Sequence, residues 1–200
     1  MTRDKLKNPL RLEGNSVILE EIEPKYFPYV IEWRNNPELN KFLNQPFKLT
    51  MELEQKWYEE KYLPDNTQGF LVVIDKKSDI PIGTQGWANM DFEKRICTGE
   101  RLILGNRAFQ GAPSFLESFF TIGDYLYDFV DTMYGHVAKQ NKHTMNLNRM
   151  VGWNFNEDKI QFPENILVNG MEQFEIYRTK EMFLNAKKRI LERFSDALFA

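Results

Sequence analysis

Thr98-Gly-Glu-Arg-Leu-Ile-Leu-Gly-Asn-Arg-Ala-Phe-Gln-Gly-Ala-Pro-Ser114 reads as a strand that closes in a glycine turn, and it opens the stretch, running to Trp153, on which the fold depends. Phe115 then starts a helical pattern, with apolar residues at Phe115, Phe119, Ile122, Leu126, Phe129, Val130 and Met133. Tyr134-Gly-His-Val-Ala138 is short and apolar, as a buried strand would be. Asn141-Lys-His-Thr-Met-Asn-Leu-Asn-Arg-Met-Val-Gly-Trp153 follows as an asparagine turn and a short helix. A helix that carries the chain from one strand to the next places those two strands parallel.

The flanks predict a sheet with antiparallel neighbours. Ser16–Ile22 reads as the first strand, and Pro24 suits a first helical position ahead of an apolar face at Tyr26, Phe27, Val30, Ile31 and Trp33. Asn35-Asn-Pro37 ends that helix, because a residue before proline avoids the α region. Thr50 is placed to cap a helix containing Leu53, Trp57 and Tyr58, with Glu52 and Glu54 in its first turn favourable to the dipole. Phe70–Asp75, Ile82–Phe92 and Thr98–Leu104 form a meander by loop length. Ile160–Val168 and Met171–Tyr177 flank Asn169-Gly170, a strong hairpin signal. From Lys180 a stripe of Phe183, Ala186, Ile190, Phe194 and Leu198 predicts a final amphipathic helix.

A chain of 200 residues, 42% apolar and 14% aromatic, suits one domain with a real core. A net charge of −3 gives no nucleic-acid signature; it suits a cationic substrate mildly, and a surface that merely stays soluble explains it as well. The single Cys97 excludes an internal disulfide and an all-cysteine metal site. No apolar run approaches the ~20 residues of a membrane span. The charged start, Met-Thr-Arg-Asp-Lys-Leu-Lys, lacks the apolar core of a signal peptide, so the expected location is cytoplasmic.

The segment after Ala138 fits the pattern N-x-x-S/A-x-x-x-x-x-x-x-G-F of the GCN5-related N-acetyltransferases (GNAT superfamily), with Asn141, Thr144, Gly152 and Trp153 in the marked places. Asn106-Arg-Ala-Phe-Gln-Gly111 resembles the approach to that family's pyrophosphate loop, Q/R-x-x-G-x-G/A. Val17-Ile-Leu-Glu20 and Trp33-Arg-Asn-Asn-Pro37 are similar to the opening of its ribosomal-protein, RimJ/RimL-like branch. The resemblance covers roughly residues 15–178. It implies an α/β (α+β) GNAT fold, with a mixed, mostly antiparallel central sheet of six to seven strands flanked by helices. The expected domains are a mobile segment 1–14, an acyltransferase domain 15–178 and a C-terminal helical extension 179–200.

The same resemblance implies acetyl-CoA as co-substrate, no metal, and a small-molecule or peptide amine as acceptor, with no nucleic acid and no membrane. Ile103, Leu104 and Gly105 take the places whose backbone pairs with pantetheine amides, and ordinary core packing explains the same residues. Gln110, Gly111, Ala112 and Ser114 fall on the pyrophosphate loop, where a helix N-terminus offers free N–H groups and a favourable dipole. The pattern is degenerate here. Pro113 stands where glycine is wanted and lacks an N–H, and Phe115 adds bulk; a turn without a ligand is the competing reading. Glu100 stands where relatives carry a catalytic base, with Asp91 as its rival and a solvated strand-end carboxylate as the bland alternative. Its use as a base asks that burial raise its pKa. Asn148 occupies the place of a tyrosine acid; an amide can hydrogen-bond the sulfur but gives up no proton. Asn141 either holds the cofactor arm or caps the short helix. Trp87, Asn89 and Asp91, with Trp57 and Tyr58, are candidates for the acceptor pocket or for an aromatic core. His136 reads as a satisfied core histidine and His143 as isolated.

Two functions follow. One is N-acetyl transfer from acetyl-CoA to a primary amine (a protein N-terminus, an amino sugar or a small amine) by direct attack in a ternary complex. The other is a GNAT-fold binding module that has lost acyl transfer and holds a partner or a non-CoA ligand. The C-terminal stripe must be covered, by its own domain or by a second subunit, and the expectation leans to a homodimer because the family core does not ordinarily require another helix.

Overall fold

A computed structural model describes residue 5 and residues 8–43, 45–161 and 170–198, with only the backbone of 159–161 and 194–198. One sheet of eight strands organises the chain. β1 (Arg11–Glu13) and β2 (Val17–Glu21) precede a 3₁₀ turn at Pro24–Tyr26, α1 (Phe27–Asn35), α2 (Pro37–Asn40) and α3 (Met51–Trp57), which continues as a π-helical turn to Tyr62. β3 (Gly69–Asp75), β4 (Ile80–Asp91) and β5 (Ile96–Leu104) form the meander. α4 (Pro113–Leu126) crosses to β6 (Thr132–Ala138), followed by α5 (Lys142–Met150), β7 (Asn154–Gln161), β8 (Gln173–Thr179) and α6 (Lys180–Leu198). The spatial order is β1-β2-β3-β4-β5-β6-β8-β7, and only β5–β6 is parallel, as the crossover helix requires.

The strand count exceeds the predicted six to seven because β1 adds an edge strand, pairing Leu12 with Leu19 within a segment expected to be mobile. Alternation along β3 builds two cores. Leu71 and Val73 face α4 and α6, whereas Phe70, Val72 and Ile74 face α1 and the π-helical turn. Thr50 Oγ1 accepts from Leu53 N at 3.2 Å, the cap read from sequence. Three boundaries move. α4 ends at Leu126, and Met133 belongs to β6. β7 starts at Asn154, and its last pair with β8 is Gln161 with Gln173, while Asn169 of the predicted hairpin lies outside the described residues. Phe115 puts its ring into the core, edge-on to Phe119.

The stripe on α6 is covered by its own domain. Phe183, Ala186 and Ile190 are buried, and a Cβ on Gly123 of α4 would lie 2.4 Å from the Phe183 ring. Gly152, at φ +91°, lets α6 approach closely: a Cβ there would lie 2.7 Å from that of Ala186. The premise of the predicted homodimer, an uncovered stripe, therefore fails for these three positions; the side chains of Phe194 and Leu198 lie outside the description. Among the described residues no helix is long and apolar enough to cross a membrane.

Candidate active site

β5 and β6 pair only at Ile96–Thr132, Cys97–Met133 and Thr98–Tyr134, and then they part. Beyond Thr98, among the described residues, no strand pairs with the β6-facing edge of β5. The parting opens a cleft of about 930 Å³, lined by residues 98–104 of β5 and 135–138 of β6 and closed at one end by α5. This is within the ordinary size of a ligand pocket.

A bulge shapes the inner wall. Between the pairs Thr84–Ile103 and Gly86–Glu100, β5 carries one residue more than β4, and Arg101 sits at φ +61°. Its guanidinium donates to Gly69 O at 3.1 Å, to Trp87 O at 2.9 Å and to Gln68 Oε1. Burial lowers its pKa, and Glu100 opposes that. Behind this wall Glu54 of α3 is 1% exposed, and among the described residues its Oε1 has no hydrogen-bond partner. Burial raises the Glu54 pKa, opposed first by Arg34 and then by Arg101.

The cleft brings together Glu100, Ile103, Leu104, Gln110, Asn141 and Asn148 of the expected site. Glu100 is exposed, so the burial that its use as a base asked for is missing. Asn141 Oδ1 accepts from Thr144 N at 3.1 Å and so caps α5, while the residue also lines the cleft. Gly105, Gly111, Ala112 and Ser114 lie outside the cleft lining, on the loop leading into α4 and its first turn. There Gly111 is at φ +81°, and no side chain caps the first turn. Pro113 at the first helical position removes only an N–H that a helix leaves unsatisfied anyway.

The expected acceptor residues are placed elsewhere. Trp87 is buried against Tyr125 in the α4-side core. Asn89, at φ +52°, is exposed in a second bulge at the far end of β4. Asp91 accepts from Lys94 N at 2.9 Å and from Lys94 Nζ at 2.9 Å, which hold its carboxyl below the usual range. Trp57 does line the cleft, whereas Tyr58 is core. His136 is exposed on the cleft wall rather than buried, and His143 joins it. Arg34, Arg101 and Arg107 also line the cleft without having been predicted. Their available signal was the arginine inside Trp33-Arg-Asn-Asn-Pro37 and the basic residues flanking the glycine turn.

Arg178 braces the cleft floor. Its Nε donates to Tyr127 Oη at 3.1 Å and Nη1 to Val151 O at 3.1 Å, and Trp153 and Phe183 stack at 4.9 and 5.0 Å. Beside it, burial pushes the Cys97 thiol up to about 12, with Arg178 opposing. The folded protein is therefore expected to leave Cys97 unreacted with iodoacetamide at pH 8, and denaturant should expose one titratable thiol. Stoichiometric labelling of the native protein would contradict this placement.

No protein-family model matches the chain, and no curated protein matches it in sequence. Solved structures do. Spermidine N-acetyltransferase from Vibrio cholerae, in complex with CoA and spermine, is 18% identical, with a TM-score of 0.73 over 86% of this chain and 100% of that one. A GCN5-related N-acetyltransferase from Brucella melitensis is 15% identical, with a TM-score of 0.74 over 90% of this chain and 83% of that one. The chain has the GNAT fold.

Proposed function

We propose that the protein transfers the acetyl group of acetyl-CoA to a primary amine by direct attack in a ternary complex. The observation that carries this reading is the parting of β5 and β6 after Thr98, which leaves a strand edge beside a cleft of about 930 Å³. A pantetheine arm can pair with such an edge as an added strand would. The Vibrio cholerae neighbour, in complex with CoA and spermine, supports both a CoA thioester and an amine as the ligands.

When bound, the thioester supplies an electrophilic carbonyl carbon and a thiolate leaving group. The chain's residues do the rest. Backbone groups at Ile103, Leu104 and Gly105 orient the arm. Gln110, Gly111, Ala112 and Ser114 present the uncapped first turn of α4 to the pyrophosphate. Asn141 holds the arm from the side of α5. A bound acceptor would cover Glu100 and supply the burial it lacks, and the carboxylate then takes the proton that the ammonium must lose before its lone pair can form the new N–C bond as the C–S bond breaks. Asn148 donates a hydrogen bond towards the departing sulfur, and the second proton, shed by the acylated nitrogen, passes through solvent to the thiolate. The acceptor is a protein N-terminus, an amino sugar or a small amine.

A second reading, a binding module on the same fold, is favoured by one feature: the buried amide of Asn148 stands where relatives place a proton donor. Thermal denaturation with and without acetyl-CoA, together with a thiol-release assay, separates the two. Acetyl-CoA at 100 times its dissociation constant should add about 2.7 kcal/mol, and a suitable amine should release free thiol. Absence of a shift at millimolar acetyl-CoA would overturn the first reading.

A further inference from the structure

The cleft is basic although the chain is acidic. Arg34, Lys41, Arg101, Arg107 and Arg178 line it against Glu38 and Glu100. Two of these cations have partners, and a third, Arg107, is exposed. Lys41 pairs with Glu38 at 3.3 Å. Arg178 is built into the floor through Tyr127 and Val151. Arg107 stands beside Gln110, on the approach to the first turn of α4.

Arg34 is different. It lies near the C-terminal end of α1, and among the described residues its guanidinium donates no hydrogen bond. Burial lowers its pKa, and Glu54 opposes that. The charge of Arg101 acts on Glu54 as well, and burial, the larger effect, raises the Glu54 pKa. Arg101 has three oxygen acceptors of its own. Arg34 has a place on the cleft wall and a planar fork without an acceptor. A partly buried guanidinium is costly unless an anion completes it, and a fork of this kind matches a carboxylate or phosphate through two hydrogen bonds. A polyamine would bring ammonium groups against two guanidiniums.

We infer that the acceptor taken by this cleft carries an anionic group, carboxylate or phosphate, together with its amine, and that Arg34 holds that group. The inference rests on the N-acetyltransfer reading and narrows its substrate class. Thiol release is measured with two matched pairs and a polyamine that separate the possibilities: phosphoethanolamine against ethanolamine, L-alanine against L-alaninamide, and spermidine. The wild-type protein is expected to favour at least one anionic member over its neutral-tailed partner by tenfold or more in kcat/KM. In Arg34→Met that ratio should fall to near one, with the acetyl-CoA thermal shift unchanged. Arg34→Lys, which keeps the charge and loses the fork, should restore part of it.

Equal use of paired amines, or preference for spermidine, would overturn the inference and leave acetyl transfer standing. Loss of the acetyl-CoA shift in Arg34→Met would instead assign Arg34 to the cofactor and also overturn it. Should no probe release thiol while acetyl-CoA still binds, calorimetry of phosphoethanolamine and L-alanine with CoA-saturated protein decides. Binding lost in Arg34→Met supports the inference, and no binding overturns it. Absence of acetyl-CoA binding overturns the underlying reading itself.

Discussion

Phe183→Ala is expected to destabilise the protein by about 3–5 kcal/mol, the usual cost of removing a buried phenyl ring from a packed core. Phe183 is 1% exposed and lies between two helices and the floor of the cleft. Its ring meets those of Phe120 and Tyr127 at 6.2 and 4.9 Å, and it stacks on Arg178. It also occupies the space left by the missing side chain of Gly123. The cavity would be hard to close, because backbone and two aromatic rings form its walls. Chemical denaturation should show the loss as a lower midpoint, with a melting temperature reduced on the order of 10 °C. Leu184→Ala, one residue along and 49% exposed, is the control and should stay within about 0.5 kcal/mol. Equal, small effects of both substitutions would mean that α6 is a detachable appendage and not part of the core.

Glu100→Gln is expected to lower kcat at neutral pH by about a hundredfold or more, within the range that general-base catalysis supplies. The substitution keeps the shape of the side chain and removes only its capacity to take a proton, so the acetyl-CoA shift should not change. Glu100 stands at the bulge where β5 leaves β6, on the lining of the cleft. Of the alternatives, Asp91 is committed to the turn that follows β4. Glu54 is shut behind the wall, with Arg34 and Arg101 as its charge partners. Activity that is unchanged by Glu100→Gln across the pH range would move deprotonation to bulk water. A rate deficit that raising the pH restores would show that the carboxylate serves to generate the free amine.

Helix α4 and the strands beside it were legible because their signals are local. The apolar spacing from Phe115, the cap at Thr50 and the crossover that forces β5 and β6 parallel depend on neighbours a few residues apart. Overlap of helical and strand patterns at a boundary produced the error at Met133, where an apolar residue satisfied both.

The candidate site was legible in part: Glu100 and Asn148, expected to act through side chains, line the cleft, whereas Gly105, Gly111 and Ala112, expected to act through backbone, do not. The expected positions at Ile103, Leu104, Gln110 and Asn141 border the cleft because a motif marks a backbone path and not a side-chain environment. Aromatic side chains misled: Trp87 and Tyr58 carry the residue types of an acceptor pocket and the burial of a core. Glu54 misled in the opposite way. Its position in the first turn of α3 reads as a helix-dipole carboxylate, yet the fold buries it, and only the charges of Arg34 and Arg101 oppose the effect of that burial on its pKa.

Local periodicity, turn chemistry and motif spacing therefore sufficed for the strand–helix–strand frame and the path of the cleft. The long-range packing of the sheet settled the rest: that β1 pairs, that α6 closes its own core, and that Arg34 and Arg101 line one cleft with Glu54 buried behind it. Burial and charge balance depend on which distant segments meet, and no spacing along the chain carries that information.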